Sequence, residues 1–261
     1  MGHLRRMQIR EPYRSYGSGI GELGQCPGGQ GVTLHAGRNV ISMATLGGPP
    51  DEPIEVVVKA FRVPDRLRGF FYARFRPSKA RRSMVHAETL LELGIGTPDP
   101  VACIEFEQAG CLRESYYICR HWVSDVDLTE LLYRRGSLGE RTGALLEQLA
   151  RFTFLQHESG VQHLDYNPGN ILVRSRGEIF DFVLVDLNRL RFRPMDMDDR
   201  ICGLVRLTTS TDYLRSIGKA YADLYGVDTG DFCRRLEAAY RRFVARRRTM
   251  SRIKSLIRPE H

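Results

Sequence analysis

One stretch constrains this chain more than any other: His163-Leu-Asp-Tyr-Asn-Pro-Gly-Asn170, followed by Val185-Asp186-Leu-Asn188. Two apolar runs, Ile171-Leu-Val173 and Phe180 to Val185, lie between the polar pieces. Short strands on either side of a polar turn predict a hairpin. Such a hairpin carries Asp165, Asn170 and Asp186 to one end. Phosphoryl transfer to a hydroxyl uses this set of groups. One carboxylate receives the hydroxyl proton, while an amide oxygen and a second carboxylate hold magnesium against the phosphates.

The Asp-x4-Asn spacing is that of a kinase catalytic loop, and Asp186 stands where the magnesium-binding Asp of such enzymes belongs. Asp165 is therefore the candidate base, and Asn170 and Asp186 are the candidate metal ligands. Pro168-Gly169 fixes a tight turn that brings Asn170 back towards the metal. Protein Ser/Thr kinases carry a lysine two residues after the base. Here Asn167 points instead to acceptors that are small molecules or lipids. Asn188-Arg189 occupies the place of a Phe-Gly pair, so a phosphorylation-switched activation loop is not expected. His163 reads as a packing residue that orients the loop. His86, His121 and His157 show no metal spacing.

Upstream, Val32 to His35 and Asn39 to Leu46 read as a hairpin around Gly37. Ile54-Glu-Val-Val-Val-Lys59-Ala-Phe61 is a β-branched third strand. Lys59 is the candidate phosphate lysine, and the turn at Gly37 stands where a phosphate-covering loop would be. Ser78 caps a predicted helix over Ser78–Leu93 with Glu88 in its middle, spaced to pair with Lys59. Gly19-Ile-Gly-Glu-Leu-Gly24 matches G-x-G-x-x-G, but no apolar strand precedes it. It reads as part of a flexible arm over residues 1–30. A small strand-rich lobe follows over 31–123 and a mostly helical lobe over 124–261. In the latter, Leu145, Leu146, Leu149, Phe152 and Leu155 are expected to face inward. The fold class is α+β, a two-lobed protein-kinase-like arrangement. The chain of 261 residues is long enough for both lobes.

The six cysteines form no C-x-x-C pair and read as free thiols; Cys103 and Cys119 could meet across a hairpin, but nothing requires it. No apolar run approaches the ~20 residues of a membrane span, and the first residues lack the apolar core of a secretory signal. The net charge of +8 favours anionic partners. Much of it lies between Arg62 and Arg82, where Arg62, Arg66, Arg68, Arg74, Arg76, Lys79, Arg81 and Arg82 alternate with Leu67, Phe70, Phe71, Tyr72 and Phe75. That mixture suits an anionic membrane surface. A solvated basic face with its aromatics in the core is the alternative.

Several of these pieces together carry a resemblance: Val58-Lys59, Arg76-Pro-Ser-Lys-Ala-Arg-Arg-Ser83, Ala87-Glu88, Gly94-Ile-Gly-Thr-Pro98, His163-Leu-Asp165 and Asp186-Leu-Asn-Arg189. From about residue 32 to 192 the chain resembles the bacterial lipopolysaccharide core kinases, which phosphorylate Kdo or heptose sugars. The resemblance implies a kinase-like fold, ATP, and a divalent metal, Mg2+ or Mn2+. It further implies a lipid-linked core sugar as substrate, met at the cytoplasmic face of the inner membrane by a peripheral protein. No nucleic-acid partner is expected. By position, Lys59 and Glu88 would serve ATP, Asp165 would be the base, and Asn170 and Asp186 would bind metal. Two rivals remain at this stage. One is a kinase for another small molecule or a protein, and the other is a kinase-shaped binding protein without turnover.

Overall fold

The computed structural model describes residues 4–25, 32–36, 39–47, 52–62, 76–134 and 138–257. The chain divides into two units. One comprises Met1–Val123 and Leu184–Asn188, the other Ser124–Val183 and Arg189–His261.

The first unit is built on a six-stranded sheet. Its strands are β1 (Leu4–Ile9), β2 (Val32–Ala36), β3 (Asn39–Leu46), β4 (Ile54–Arg62), β5 (Pro100–Gln108) and β6 (Cys111–Arg120), in the order β1-β5-β6-β4-β3-β2. All neighbours are antiparallel. Strand β4 shows why the sheet needs cover on both sides. Ile54, Val56, Val58 and Ala60 are buried on one face, while Lys59 emerges half-buried on the other. Period-two alternation puts these sets on opposite faces. Helix α2 (Lys79–Glu92) packs on β5 and β6. It turns Ala80, Met84, Ala87 and Leu90 inward, each fully buried. Ser78 caps it by accepting the Arg81 N–H at 3.0 Å.

The chain's first residues take the opposite face. The arm expected over residues 1–30 is, from Leu4 to Gln25, strand β1, a 3-10 turn over Glu11–Tyr16 and helix α1 (Gly17–Gln25). Tyr16, Ile20 and Leu23 pack into one cluster with Leu46, Val56, Val58, Ile104 and Ile118. The literal G-x-G-x-x-G thus lies inside a helix, and its first glycine allows close packing. A Cβ on Gly19 would come to 3.2 Å from a Leu46 methyl. Asp99 receives both Arg10 and the Tyr13 hydroxyl, which fastens the segment to the start of β5.

The second unit is mostly helical. It holds α3 (Leu128–Tyr133), α4 (Arg141–Glu158), β7 (Val161–His163), β8 (Ile171–Arg176), β9 (Ile179–Leu184, whose last residue joins the first unit), β10 (Leu190–Phe192), α5 (Met197–Leu204), α6 (Thr211–Tyr225) and α7 (Thr229–Ile257). Strands β8 and β9 form the expected two-stranded hairpin, and β7 pairs with β10. Along α4, Leu145, Leu146 and Leu149 are buried as expected, but Leu155 is 55% exposed. Six residues beyond Leu149 is about 120° round the helix, off the buried stripe. Helices α4, α6 and α7 meet around Tyr221, which stacks on Phe232 and meets Phe154 edge-on. The Tyr221 hydroxyl receives Arg200 at 3.2 Å and hydrogen-bonds Nδ1 of His157 at 2.8 Å. All five described cysteines are free; Cys103 lies opposite Tyr117, and Cys119 opposite Pro100. Among the described residues, no helix is long and apolar enough to cross a membrane.

Candidate active site

In the first unit the site residues are Lys59, Glu88 and Asp186. Asp186 follows β9 and stands at φ 58°, in the left-handed region. Non-glycine residues rarely adopt that region, though Asp tolerates it better than most. The surrounding bonds hold it there. Lys59 Nζ pairs with Asp186 Oδ1, and Asn188 Nδ2 donates to the same oxygen at 2.6 Å. His86 of α2 donates from Nδ1 to the Leu187 carbonyl at 2.7 Å. Desolvation holds His86 below its ordinary value, against the pull of that bond. Before Asp186, Leu184 N donates to the Gly96 carbonyl at 2.8 Å, and Thr97 Oγ1 donates to the Leu184 carbonyl at 2.8 Å. The Leu184–Asn188 segment is thus fastened to the middle of α2, to the turn that follows it and to β4.

The expected partner of Lys59 was Glu88, but the ion pair formed is with Asp186, and no Lys59–Glu88 pair occurs among the described residues. The Lys59 charge is already met by the carboxylate that the αL turn and Asn188 hold against it. Glu88 is half-buried on α2. Its charge acts on the buried Tyr117 hydroxyl, whose pKa is raised mainly by desolvation. Tyr117 lies directly opposite Lys59 in the sheet. Gly37 lies outside the described residues, as do residues 63–75 of the Arg62–Arg82 segment. Of that segment's cations, Arg76 and Arg81 are exposed and Lys79 sits over the Phe61 ring.

In the second unit the site residues are Asp165 and Asn170. The loop between β7 and β8 is organised by its own side chains. His163, 4% exposed, accepts the Asp165 N–H on Nδ1 at 3.1 Å. The Asp165 carbonyl receives two amides, Asn167 Nδ2 and Asn170 Nδ2, each at 2.8 Å. Asn167 Oδ1 in turn accepts the Gly169 N–H and caps the 3-10 turn over Pro168–Asn170. Tyr166 is buried beneath the loop, its hydroxyl 2.8 Å from that of Thr153. The Asp165 carboxylate is held less tightly. It is 44% exposed, with Arg189 Nη1 at 3.8 Å from Oδ2. A carboxylate positioned through its backbone and left open to solvent is free to take a proton from an incoming hydroxyl.

The oxygen donors suit a hard cation. Asn170 binds through its amide nitrogen and keeps its oxygen for another partner. Asp186 keeps Oδ2, since both of its hydrogen bonds fall on Oδ1. Among the described residues no three His, Cys, Asp or Glu side chains could hold a metal by themselves. Sequence reasoning did not find Asn188, His86 or Arg189 as members of the site. For Asn188 there was a signal. A short amide two residues after an Asp, in a turn too tight for a helix, is well placed to bond back to it.

A family model for the lipopolysaccharide kinase (Kdo/WaaP) family matches residues 68–225. No curated protein sequence matches the chain. Among solved structures, that of WaaP in complex with acyl carrier protein is similar over 92% of this chain and 98% of that one. Its TM-score is 0.64 at 18% identity, a likeness of fold. The α+β, kinase-like class read from the sequence is the class of this structure. With more than half of its length matched, the chain belongs to the lipopolysaccharide kinase (Kdo/WaaP) family.

Proposed function

We propose that this kinase transfers the γ-phosphoryl group of ATP to a hydroxyl of an inner-core sugar of lipopolysaccharide, either Kdo or heptose. The observation that carries the proposal is the pairing of Lys59 with Asp186, an aspartate held at positive φ with one carboxylate oxygen left over. In this reading Lys59 meets the ATP phosphates, Glu88 steadies the lysine once nucleotide arrives, and the Gly37 turn covers the phosphates. Asp186 and Asn170 hold Mg2+ or Mn2+ through oxygen. When bound there, the metal would neutralise charge on the phosphates. Asp165 accepts the proton of the sugar hydroxyl. It needs no raised pKa, because positioning dominates when the transition state is loose.

The substrate is lipid-linked, so the protein works as a peripheral enzyme at the cytoplasmic face of the inner membrane, with Arg62–Arg82 as its dock. Sedimentation with anionic vesicles that weakens with salt, and weakens further when Arg74, Arg76 and Lys79 become Glu, is the expected behaviour of that dock. The decisive test of function is transfer of labelled phosphate from ATP to deacylated core oligosaccharide, with and without chelator. Mass spectrometry of the product then assigns the sugar and hydroxyl. Absence of metal-dependent transfer to any core sugar overturns the reading in favour of another acceptor or of a binding protein.

A further inference from the structure

Within the second unit, residues of helices α5 and α7 and of the turn after α5 line an open cavity of about 450 Å3. This is the size of a small-molecule pocket. Its floor is apolar, with Ile201, Val205 and Phe243, and its walls carry Arg206, Arg235, Arg242 and Arg246 against one acid, Asp198. Asp198 pairs with Arg235 at 3.2 Å. Arg206 donates to the Leu164 carbonyl at 3.1 Å and lies over the Phe243 ring. Arg242 and Arg246 are exposed, and neither has a carboxylate within ion-pair distance among the described residues. The cavity therefore holds two guanidinium forks with nothing anionic to meet.

The cavity is tied to the catalytic loop through Arg206. Leu164, whose carbonyl Arg206 holds, immediately precedes Asp165. Arg206 and Cys202 also line a small cavity beneath His163 and Leu164. The Tyr133 hydroxyl donates to the Arg206 carbonyl at 2.6 Å. Burial raises its pKa, and Arg247, Asp165, Arg206 and Tyr240 all act on it electrostatically, so Arg206, the α7 residue Arg247 and Asp165 share one neighbourhood.

We infer that this α5–α7 cavity is the subsite for anionic groups, phosphate or carboxylate, carried by the saccharide of the acceptor, and that it sets acceptor recognition. The inference rests on the kinase reading above. Planar guanidiniums suit discrete oxyanions, which they grip two-pronged. An apolar, partly aromatic floor suits the C–H faces of a sugar. A membrane dock would instead present its aromatics outward to the lipid, whereas Phe243 is half-buried, with Arg206 and Arg247 over its ring.

The test is calorimetry of the full-length protein with deacylated, phosphorylated core oligosaccharide and with the same oligosaccharide after phosphatase treatment. The expected result is that phosphatase treatment weakens binding. The double variant Arg242→Gln/Arg246→Gln should bind the phosphorylated form roughly tenfold or more weakly, as loss of charge-assisted hydrogen bonds predicts. In turnover its acceptor KM should rise by a similar factor while its KM for ATP stays put. Should the double variant fail to fold, Arg246→Gln alone is read by the same criteria. Binding needs no chemistry. Arginine-dependent binding without phosphorylation of any core sugar would therefore retire the kinase reading and keep the subsite. Turnover with unchanged acceptor KM and unchanged binding in the variant overturns the inference. So does a variant that loses only anionic vesicles or only an acidic protein while binding the oligosaccharide like wild type.

Discussion

Asp186 shows how much one residue can be asked to do. Its backbone is in a region that costs a non-glycine residue on the order of 1 kcal/mol or more, and its carboxylate oxygen takes both Lys59 and Asn188. Removing the side chain should leave Lys59 without its partner and, on the proposed function, the metal without its carboxylate. Asp186→Ala is therefore expected to lose the magnesium-dependent part of ATP affinity, as seen by calorimetry with and without the cation. Asn188→Ala, which only loosens the carboxylate, should lose a fraction of it. Asp165 is constrained differently, through two amides on its carbonyl rather than through its carboxylate. Asp165→Asn keeps that scaffold and removes the proposed base. Turnover should fall by about 10²–10⁴ with ATP binding retained. Near-normal turnover would assign the proton to another group. Asp165, Asn170 and Asp186 were visible in the sequence because their spacing is rigidly tied to a turn and a hairpin. Asn188 and His86 were harder to find, since each acts through one hydrogen bond that appears only when the chain is folded back.

Among the elements, the N-terminal layer is the one that sequence patterning missed. Tyr13, Tyr16, Ile20 and Leu23 keep helical spacing, but glycines between them dilute the periodicity that identifies a helix. A long, β-branched run such as β4 is legible on its own, and so is a capped helix such as α2. A short glycine-rich helix is specified mainly by the sheet face it covers. Ile20 is fully buried in that face. Ile20→Ala should cost about 2–5 kcal/mol of stability, read as a lower denaturant midpoint, and Asp99→Ala should weaken the same layer by freeing Arg10 and Tyr13. An unchanged midpoint in Ile20→Ala would mean that the segment contributes nothing to the first unit. The misplacement of Leu155 has the opposite origin. There the helix was clear, and only the width of its buried stripe was misjudged.

At the scale of the whole molecule, a single buried histidine should shape the acid limb of stability. Burial, with Arg200 adding to it and Asp199 opposing it, pushes His157 from 6.5 down to about 3. Between those values the unfolded chain binds the proton and the folded one does not. Stability therefore falls as pH drops below about 6.5, with a slope approaching ~1.4 kcal/mol per pH unit from this group, and the loss levels off near pH 3. His157→Asn should flatten that limb in denaturant titrations at several pH values, even if it is less stable at neutral pH. The division of the chain has a consequence for its biosynthesis. The first unit is not finished when the ribosome reaches Val123, because Leu184–Asn188 belongs to it. Until Ser124–Val183 has been made, the Gly96 carbonyl, the Thr97 hydroxyl, His86 and Lys59 await partners that have not yet been translated. A nascent chain stalled at Val123 should accordingly be open to protease and unable to take nucleotide. Joining residues 184–188 to a 1–123 fragment through a flexible Gly-Ser linker should raise the fragment's melting temperature, whereas a scrambled version of those five residues should not.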